Sequence, residues 1–157
     1  MNRRVCFIGH RRIGDSGLRE RLKNEIENKI KSGCNNFTMG AHGDFDEMAL
    51  SVCRELRQIF PYIEIEVVIT SYNKLKKRIE KDEIWGTETY TPYEDVKTVM
   101  YDIEETYFKR RIIESNHQMI DACTELICYV DPNATVSGAK YAYNYAKKKG
   151  LKITNLF

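Results

Sequence analysis

The 157-residue chain lacks the features that would assign it to several specialised classes of protein. No apolar run is long enough for a signal peptide or a membrane span, so we expect a cytoplasmic protein without a membrane partner. The five cysteines are an odd number and show no Cys-x-x-Cys spacing, which favours reduced thiols over a disulfide framework or a zinc site. The net charge is only +2, which disfavours nucleic acid as a partner.

Two nucleotide-binding motifs are also missing. The sequence has neither Gly-x-Gly-x-x-Gly nor a Gly-Lys-Ser/Thr phosphate loop, which disfavours dinucleotide-dependent oxidoreduction and hydrolysis of nucleoside triphosphates. His10 and His42 could meet in the fold, but no third metal ligand accompanies them. We therefore expect no cofactor and no metal.

What the sequence does contain is a regular alternation of strand-like and helix-like segments. Apolar residues at helical spacing predict helices near residues 18–30, 45–60, 108–123 and 139–146. Short apolar runs predict strands at residues 5–8, 37–39, 63–69, 126–130 and 151–156. This order predicts one α/β domain over residues 1–157, with a Rossmann-like, doubly wound, mostly parallel sheet of about five strands flanked by helices.

The pattern weakens between residues 71 and 107. Residues 74–81 look helical and charged, and aromatic residues such as Trp85 and Tyr101 follow without a clear period. Such a stretch is typical of a lid over a site, of an irregular wall of the core, or of a dimer face. We expect a homodimer or a higher homo-oligomer, and the sequence leaves these three interpretations open.

Three glycine-containing junctions lie between a predicted strand and the next helix, and two of them come early in the chain. The carboxyl ends of parallel strands meet at one edge of the sheet, where ligands bind. In the first junction, Gly9 permits close approach, while His10 and Arg11 offer donors to an anion. The alternatives are that His10 caps a turn, and that Arg11 lies in solvent while Arg12 supplies the useful guanidinium.

The second and third junctions each open a helix. The second contains Gly40, His42, Gly43 and Asp46, and Asp46 is either a first-turn capping acid or a ligand contact, with Asp44 as its rival. The third contains Ser137, a candidate N-cap, and Gly138, where the helix amides could face a phosphate. Together the junctions predict a pocket for a nucleotide or phosphate.

The order of these motifs resembles the SLOG superfamily, which includes the Lonely Guy phosphoribohydrolases and the Rossmann-like module of DNA-processing protein A. The chain is most similar to short single-domain bacterial and phage members. The motifs that carry the resemblance are Phe7-Ile8-Gly9-His10-Arg11, Gly40-Ala41-His42-Gly43-Asp44-Phe45-Asp46, Arg110-Arg111 ahead of Asn116-His117-Gln118-Met119-Ile120-Asp121, and Ser137-Gly138-Ala139-Lys140-Tyr141-Ala142.

The resemblance implies a Rossmann-like fold and a pocket for a nucleotide-derived ligand, such as an ADP-ribose or a cyclic-nucleotide signal. It adds Asn116 and Arg111 to the site, because Arg111 lies one turn before Ser115 and could supply a guanidinium that related chains place nearer Asn116. The Pro-Gly-Gly-x-Gly-Thr loop of the Lonely Guy enzymes is absent, and no acid follows Ser137-Gly138.

From the residues and the resemblance, we expect a protein that senses or sequesters a nucleotide-derived small molecule. The alternatives are a hydrolase of an N-glycosidic or phosphate linkage, with Asp46 as base and His10 as acid, and an interaction module without a working pocket. The predicted ligand-binding residues are Gly9, His10, Arg11, Gly40, His42, Gly43, Asp46, Arg111, Asn116, Ser137 and Gly138.

Overall fold

The structure, a computed structural model, describes residues 3–70, 93–104, 107–135 and 137–157 with their side chains, and residues 77–80 and 87–90 by their backbone. Most side chains of the stretch that was predicted to be a lid, a wall or a dimer face, those of residues 71–92, 105 and 106, therefore lie outside the described residues. Within the ranges that are described, no helix has the length and the apolar character needed to cross a membrane.

Eight strands and four helices are found along the described chain. The strands are β1 (Arg4–Gly9), β2 (Asn36–Met39), β3 (Glu64–Val68), β4 (Lys77–Glu80), β5 (Thr87–Tyr90), β6 (Lys97–Val99), β7 (Glu125–Tyr129) and β8 (Lys152–Asn155). The helices are α1 (Leu18–Lys31), α2 (Asp44–Ile59), α3 (Phe108–Asp121) and α4 (Gly138–Lys149). Six strands form one parallel sheet in the order β6-β3-β2-β1-β7-β8, while β4 and β5 pair antiparallel.

The predicted Rossmann-like α/β class is confirmed, with two differences. The sheet has six strands because β6, only three residues long and not buried, joins its edge beside β3. So short a segment carries too little periodicity to be found in the sequence. In addition, the backbone of Lys77–Glu80 is a strand, where a helix was predicted.

The two faces of the sheet pack against different pairs of helices. Consecutive side chains of a strand point to opposite faces, and β1 shows this directly. Val5 and Phe7 belong to the core formed with α1 and α2, whereas Cys6 and Ile8 belong to the core formed with α3 and α4. The sheet is thus covered on both sides, and its ligand-accessible parts are its edges and strand ends.

The strand order reverses at β1. From β1 the chain builds outward through β2, β3 and β6, and it then returns to place β7 and β8 on the other side of β1. In a doubly wound sheet such a reversal opens a crevice at the carboxyl ends of the two strands that flank it. The loops that follow β1 and β7 therefore diverge around a common opening.

Candidate functional site

A cavity of about 480 Å³ lies at the carboxyl end of β1, at this reversal. Four parts of the chain form its wall: the loop after β1, the start of α2, one face of α3 and the start of α4. The lining residues are Ile8, Gly9, His10, Arg11, His42, Asp46, Lys109, Ile112, Ile113, Asn116, Ser137, Gly138, Ala139 and Tyr141.

The structure brings most of the predicted site residues together. Those that line the cavity are Gly9, His10, Arg11, His42, Asp46, Asn116, Ser137 and Gly138. Gly40, Gly43 and Arg111 are not among its lining residues. Gly40 and Gly43 lie beside the lining residues Asp46 and Arg11, and Arg111 donates a hydrogen bond to Thr70. A role in ligand binding remains a prediction for all eleven.

His10 links the first junction to the third. Its ring Nε2 accepts a hydrogen bond from the Asp131 amide at 2.9 Å, and its own amide donates to the Tyr129 carbonyl at 3.2 Å. Because Nε2 acts as the acceptor, the neutral ring carries its proton on Nδ1. His10 thus holds the turn after β7 in place, as the turn-capping alternative predicted. Nδ1 is the ring nitrogen that remains for a ligand.

Gly43 allows the start of α2 to lie against the loop after β1. Its φ is +109°, and a Cβ at this position would come within 2.6 Å of the Arg11 Cα. The neighbouring Asp44 amide donates to the Arg11 carbonyl at 2.8 Å, and the Asp44 carboxylate accepts from the Ile13 amide. Asp44 therefore connects the start of α2 to the loop after β1 through two hydrogen bonds. The group that lies close to Gly43 is the backbone of Arg11, not a ligand.

Asp46 faces the cavity from the first turn of α2. Its Oδ2 accepts from the His42 amide at 2.9 Å, and a Cβ on Gly40 would lie 2.9 Å from the same oxygen. Gly40 is thus required because the carboxyl group occupies the space beside it. Burial raises the pKa of Asp46 to about 7, against the lowering effect of the His42 amide. The carboxyl group consequently changes its charge close to neutral pH.

Arg111 lies next to the cavity wall and is hydrogen-bonded to Thr70. Its Nη2 donates to the Thr70 carbonyl at 3.0 Å, and the Thr70 hydroxyl in turn contacts His42 Nε2 at 2.9 Å. The Arg111 Nε is buried and has no hydrogen-bond partner among the residues that the structure describes. Arg111 is thus linked to His42 through Thr70, and its guanidinium does not line the cavity.

The third junction is open to the cavity. The Ser137 hydroxyl accepts from the Lys140 amide at 3.1 Å, so the predicted N-cap is confirmed. Among the residues that the structure describes, no atom lies within 4 Å of a Cβ built on Gly138. The Lys140 ammonium donates to the carbonyls of Pro132 and Ala134, which fixes the loop before the helix. Gly138 and Ala139 line the cavity, so the amino end of α4, where the positive end of the helix dipole lies, borders it.

Sequence reasoning missed the aromatic and basic residues around the opening. Lys109 and Tyr141 line the cavity, and Phe108, 56% exposed, lies edge-on to His42 with ring centroids 6.0 Å apart. Phe108 was interpreted as part of the apolar face of its helix. Lys109 could have been predicted from its position relative to Asn116. It lies seven residues earlier in the chain, and residues seven positions apart share one face of a helix.

These observations define a Rossmann-like α/β protein with a cavity at its topological switch point. The chain is similar in structure to DNA processing protein A from Helicobacter pylori, which was solved to explain how that protein binds single-stranded DNA. The TM-score is 0.60 at 15% sequence identity, and the match covers 98% of this chain and 64% of the other. This chain therefore spans less than two thirds of the length of that protein.

No model of a protein family matches the chain, and no curated protein matches it in sequence. The structural similarity nevertheless corrects two predictions. We predicted a nucleotide-derived small molecule as the ligand and disfavoured nucleic acid as a partner. Both predictions are wrong, because DNA processing protein A, the similar structure, is a protein that binds single-stranded DNA. The error arose from the net charge, which averages over the whole surface and says nothing about the cations at one opening.

Proposed function

We propose that the protein binds single-stranded DNA at the switch-point cavity, with one nucleotide inside and the rest of the strand on the rim. The observation that carries this proposal is the composition of the rim. The cations of Arg11 and Lys109 and the exposed ring of Tyr141 line the cavity, and the exposed ring of Phe108 lies against His42 in the cavity wall. Neither cation forms an ion pair with a residue whose side chain the structure describes.

Binding of a single strand requires both kinds of group. Cations follow the phosphates, while aromatic rings stack on unpaired bases, each stacked base contributing about 1–3 kcal/mol. A cavity of about 480 Å³ is in the size range of pockets for one small molecule, which suits a single nucleotide unit. The open amino end of α4, with Gly138 at its first turn, supplies amides for the phosphate of that nucleotide.

We also propose that the chain belongs to the SLOG superfamily. The ordered motifs support this assignment, since three of the four lie at strand–helix junctions and the fourth lies within α3. The similarity to DNA processing protein A supports the fold that the assignment implies.

Fluorescence anisotropy with a labelled oligothymidylate tests the proposed function. The strand should exceed about 16 nucleotides, the upper end of common single-strand site sizes. We expect wild-type protein to bind it in low salt, with affinity that falls as salt rises. Arg11→Ala should weaken binding by about tenfold or more, the scale of a lost charged hydrogen bond.

Arg12→Ala is the matched control, because Arg12 is an exposed neighbour that does not line the cavity. It should bind within about twofold of wild type, since an exposed charge away from the strand contributes little. Absence of wild-type binding at low salt would contradict the proposed function. Equal affinity for a duplex of the same sequence would contradict its restriction to single strands.

The pKa of Asp46 gives this binding a pH dependence. Below pH 7 the Asp46 carboxyl is protonated and neutral, whereas above pH 7 its charge repels a phosphate in the cavity. We therefore expect wild-type affinity to fall as pH rises from 6 to 8, by about fivefold for a repulsion of about 1 kcal/mol. Asp46→Asn should make this fall smaller, because the asparagine side chain is neutral at both ends of the pH range. Parallel pH profiles for the two proteins would contradict the assignment of the titrating group.

A further inference from the structure

We propose that the strand leaves the cavity along the exposed face of α4, over Tyr141 and past Asn144 to Lys148, so that this helix face is the second part of the DNA site. This inference rests on the proposed function. Tyr141 connects the two parts, because it lines the cavity and is also 48% exposed to solvent.

The spacing of these residues places them on one face. Positions 141, 144 and 148 lie along the same side of an α-helix, and all three residues are exposed. Ala142 and Ala146 are buried against the sheet on the other side. With a rise of 1.5 Å per residue, the distance from Tyr141 to Lys148 along the axis is about 10 Å, the length of about three stacked nucleotides at 3.4 Å each.

Charge on the rim of the cavity selects this direction. The first turn of α2 carries Asp44, Asp46 and Glu47, which repel phosphates leaving on that side. The first turn of α4 carries no acid, and its last turn carries Lys147, Lys148 and Lys149. A phosphate chain that leaves along α4 therefore moves toward positive potential, whereas one that leaves along α2 meets negative charge.

Among the side chains of this helix, Lys148 and Tyr141 are the ones available to the strand. Lys147 lies over the Tyr143 ring and Lys149 over the Tyr145 ring, each at 5.4 Å, and Lys149 also approaches Asp121. Tyr145 is stacked on His117 with centroids 3.9 Å apart. Lys148 has no ion pair or ring contact with any residue in the described ranges. The competing explanation is that Lys148 only complements the helix dipole at its carboxyl end.

The two explanations differ in how DNA length affects the Lys148→Glu variant. We expect wild-type affinity for oligothymidylates to rise from one nucleotide to about four, as the strand extends from the cavity to Lys148. Lys148→Glu should bind thymidine monophosphate like wild type but bind the longer strands about tenfold more weakly, with a salt slope reduced by about 1.

Lys31→Glu is the matched control, since Lys31 is also an exposed lysine in the last turn of a helix, but at the carboxyl end of α1. Lys31→Glu should remove a similarly small favourable interaction with the dipole of its own helix. It should leave the affinity for DNA unchanged at every strand length. If Lys148→Glu matches wild type at every length while wild type binds DNA, the α4 path is wrong and the proposed function stands. If wild type binds no oligothymidylate of any length, the proposed function itself fails, and the path fails with it.

Discussion

Gly138→Val is expected to abolish most of the affinity for single-stranded DNA and leave the fold intact. A Cβ on Gly138 would meet none of the described atoms within 4 Å, and Gly138 lines the cavity, so the added side chain enters the cavity and not the core. There it blocks the approach of a phosphate to the first-turn amides of α4. Loss of one or two charge-assisted hydrogen bonds corresponds to a roughly 10- to 100-fold rise in Kd by anisotropy.

Gly14→Val is the matched control, because Gly14 is exposed, also has no atom within 4 Å of a built Cβ, and does not line the cavity. It should bind like wild type. Both variants should unfold within about 4 °C of wild type, which is roughly 1 kcal/mol for a chain of this size. Wild-type affinity in a folded Gly138→Val protein would show that the amino end of α4 takes no part in binding.

Gly43→Val is not an equivalent experiment, although Gly43 and Gly138 were both among the predicted ligand-binding residues. Gly43 has a φ of +109°, and a side chain there would collide with the Arg11 backbone. A valine would strain the turn and displace the loop that carries Arg11. Loss of binding in that variant would therefore report on the fold as much as on the ligand.

Glu125→Gln is expected to lower the free energy of unfolding by about 3–5 kcal/mol, the range measured when one partner of a buried ion pair is removed. Glu125, at the start of β7, accepts hydrogen bonds from Arg3, from Lys29 at 3.0 Å and from the Cys34 thiol at 3.1 Å. Lys29 is 6% exposed, so without the carboxylate its charge stays buried with only Glu25, 3.9 Å away, in reach. Urea denaturation measures the loss.

Glu55→Gln is the control for Glu125→Gln, because Glu55 also receives two basic side chains, Arg19 and Lys23, but lies 40% exposed. It should cost less than about 1 kcal/mol, as surface ion pairs do. Adding Lys29→Met to Glu125→Gln should recover much of the loss, since the uncompensated buried charge is then gone. A cost for Glu125→Gln no larger than that of Glu55→Gln would contradict this account.

The effect of Glu125 should also depend on pH. Burial acts to raise the pKa of Glu125, but the hydrogen bonds from Arg3, Cys34 and Lys29 outweigh it and hold the pKa at about 2. Its ordinary value is 4.5, so the folded state favours the charged form, and the stabilisation is complete above about pH 4.5. The difference in stability between wild type and Glu125→Gln should therefore shrink as pH falls from 4.5 to 2.

Much of the candidate site could be predicted because strand–helix junctions are visible in the sequence. Gly9, His10 and Arg11 follow an apolar run, and in a parallel sheet the residues after such runs gather at one edge. The same reasoning found Ser137 and Gly138. It could not assign roles within the site, because contacts such as that of His10 with the Asp131 amide join positions 121 residues apart.

The basic and aromatic rim could not be predicted in the same way. Lys109 and Tyr141 lie on α3 and α4, which pack together over the sheet, and only that packing brings one turn of each helix to the same opening. A composition with 25 basic and 23 acidic residues conceals the difference between the acidic start of α2 and the basic end of α4. This is the physical reason why nucleic acid was wrongly disfavoured.

By itself the sequence determined the features that depend on neighbouring residues: the helical and strand periods, the N-cap at Ser137 and the left-handed helix end at Gly150, where φ is +81°. Each of these rests on steric or hydrogen-bonding preferences within a few residues. The tertiary structure decided what depends on distant partners. It added β6 to the edge of the sheet beside β3, placed Asp46 where burial raises its pKa, and packed Gly43 against Arg11, because long-range contacts alone fix these environments.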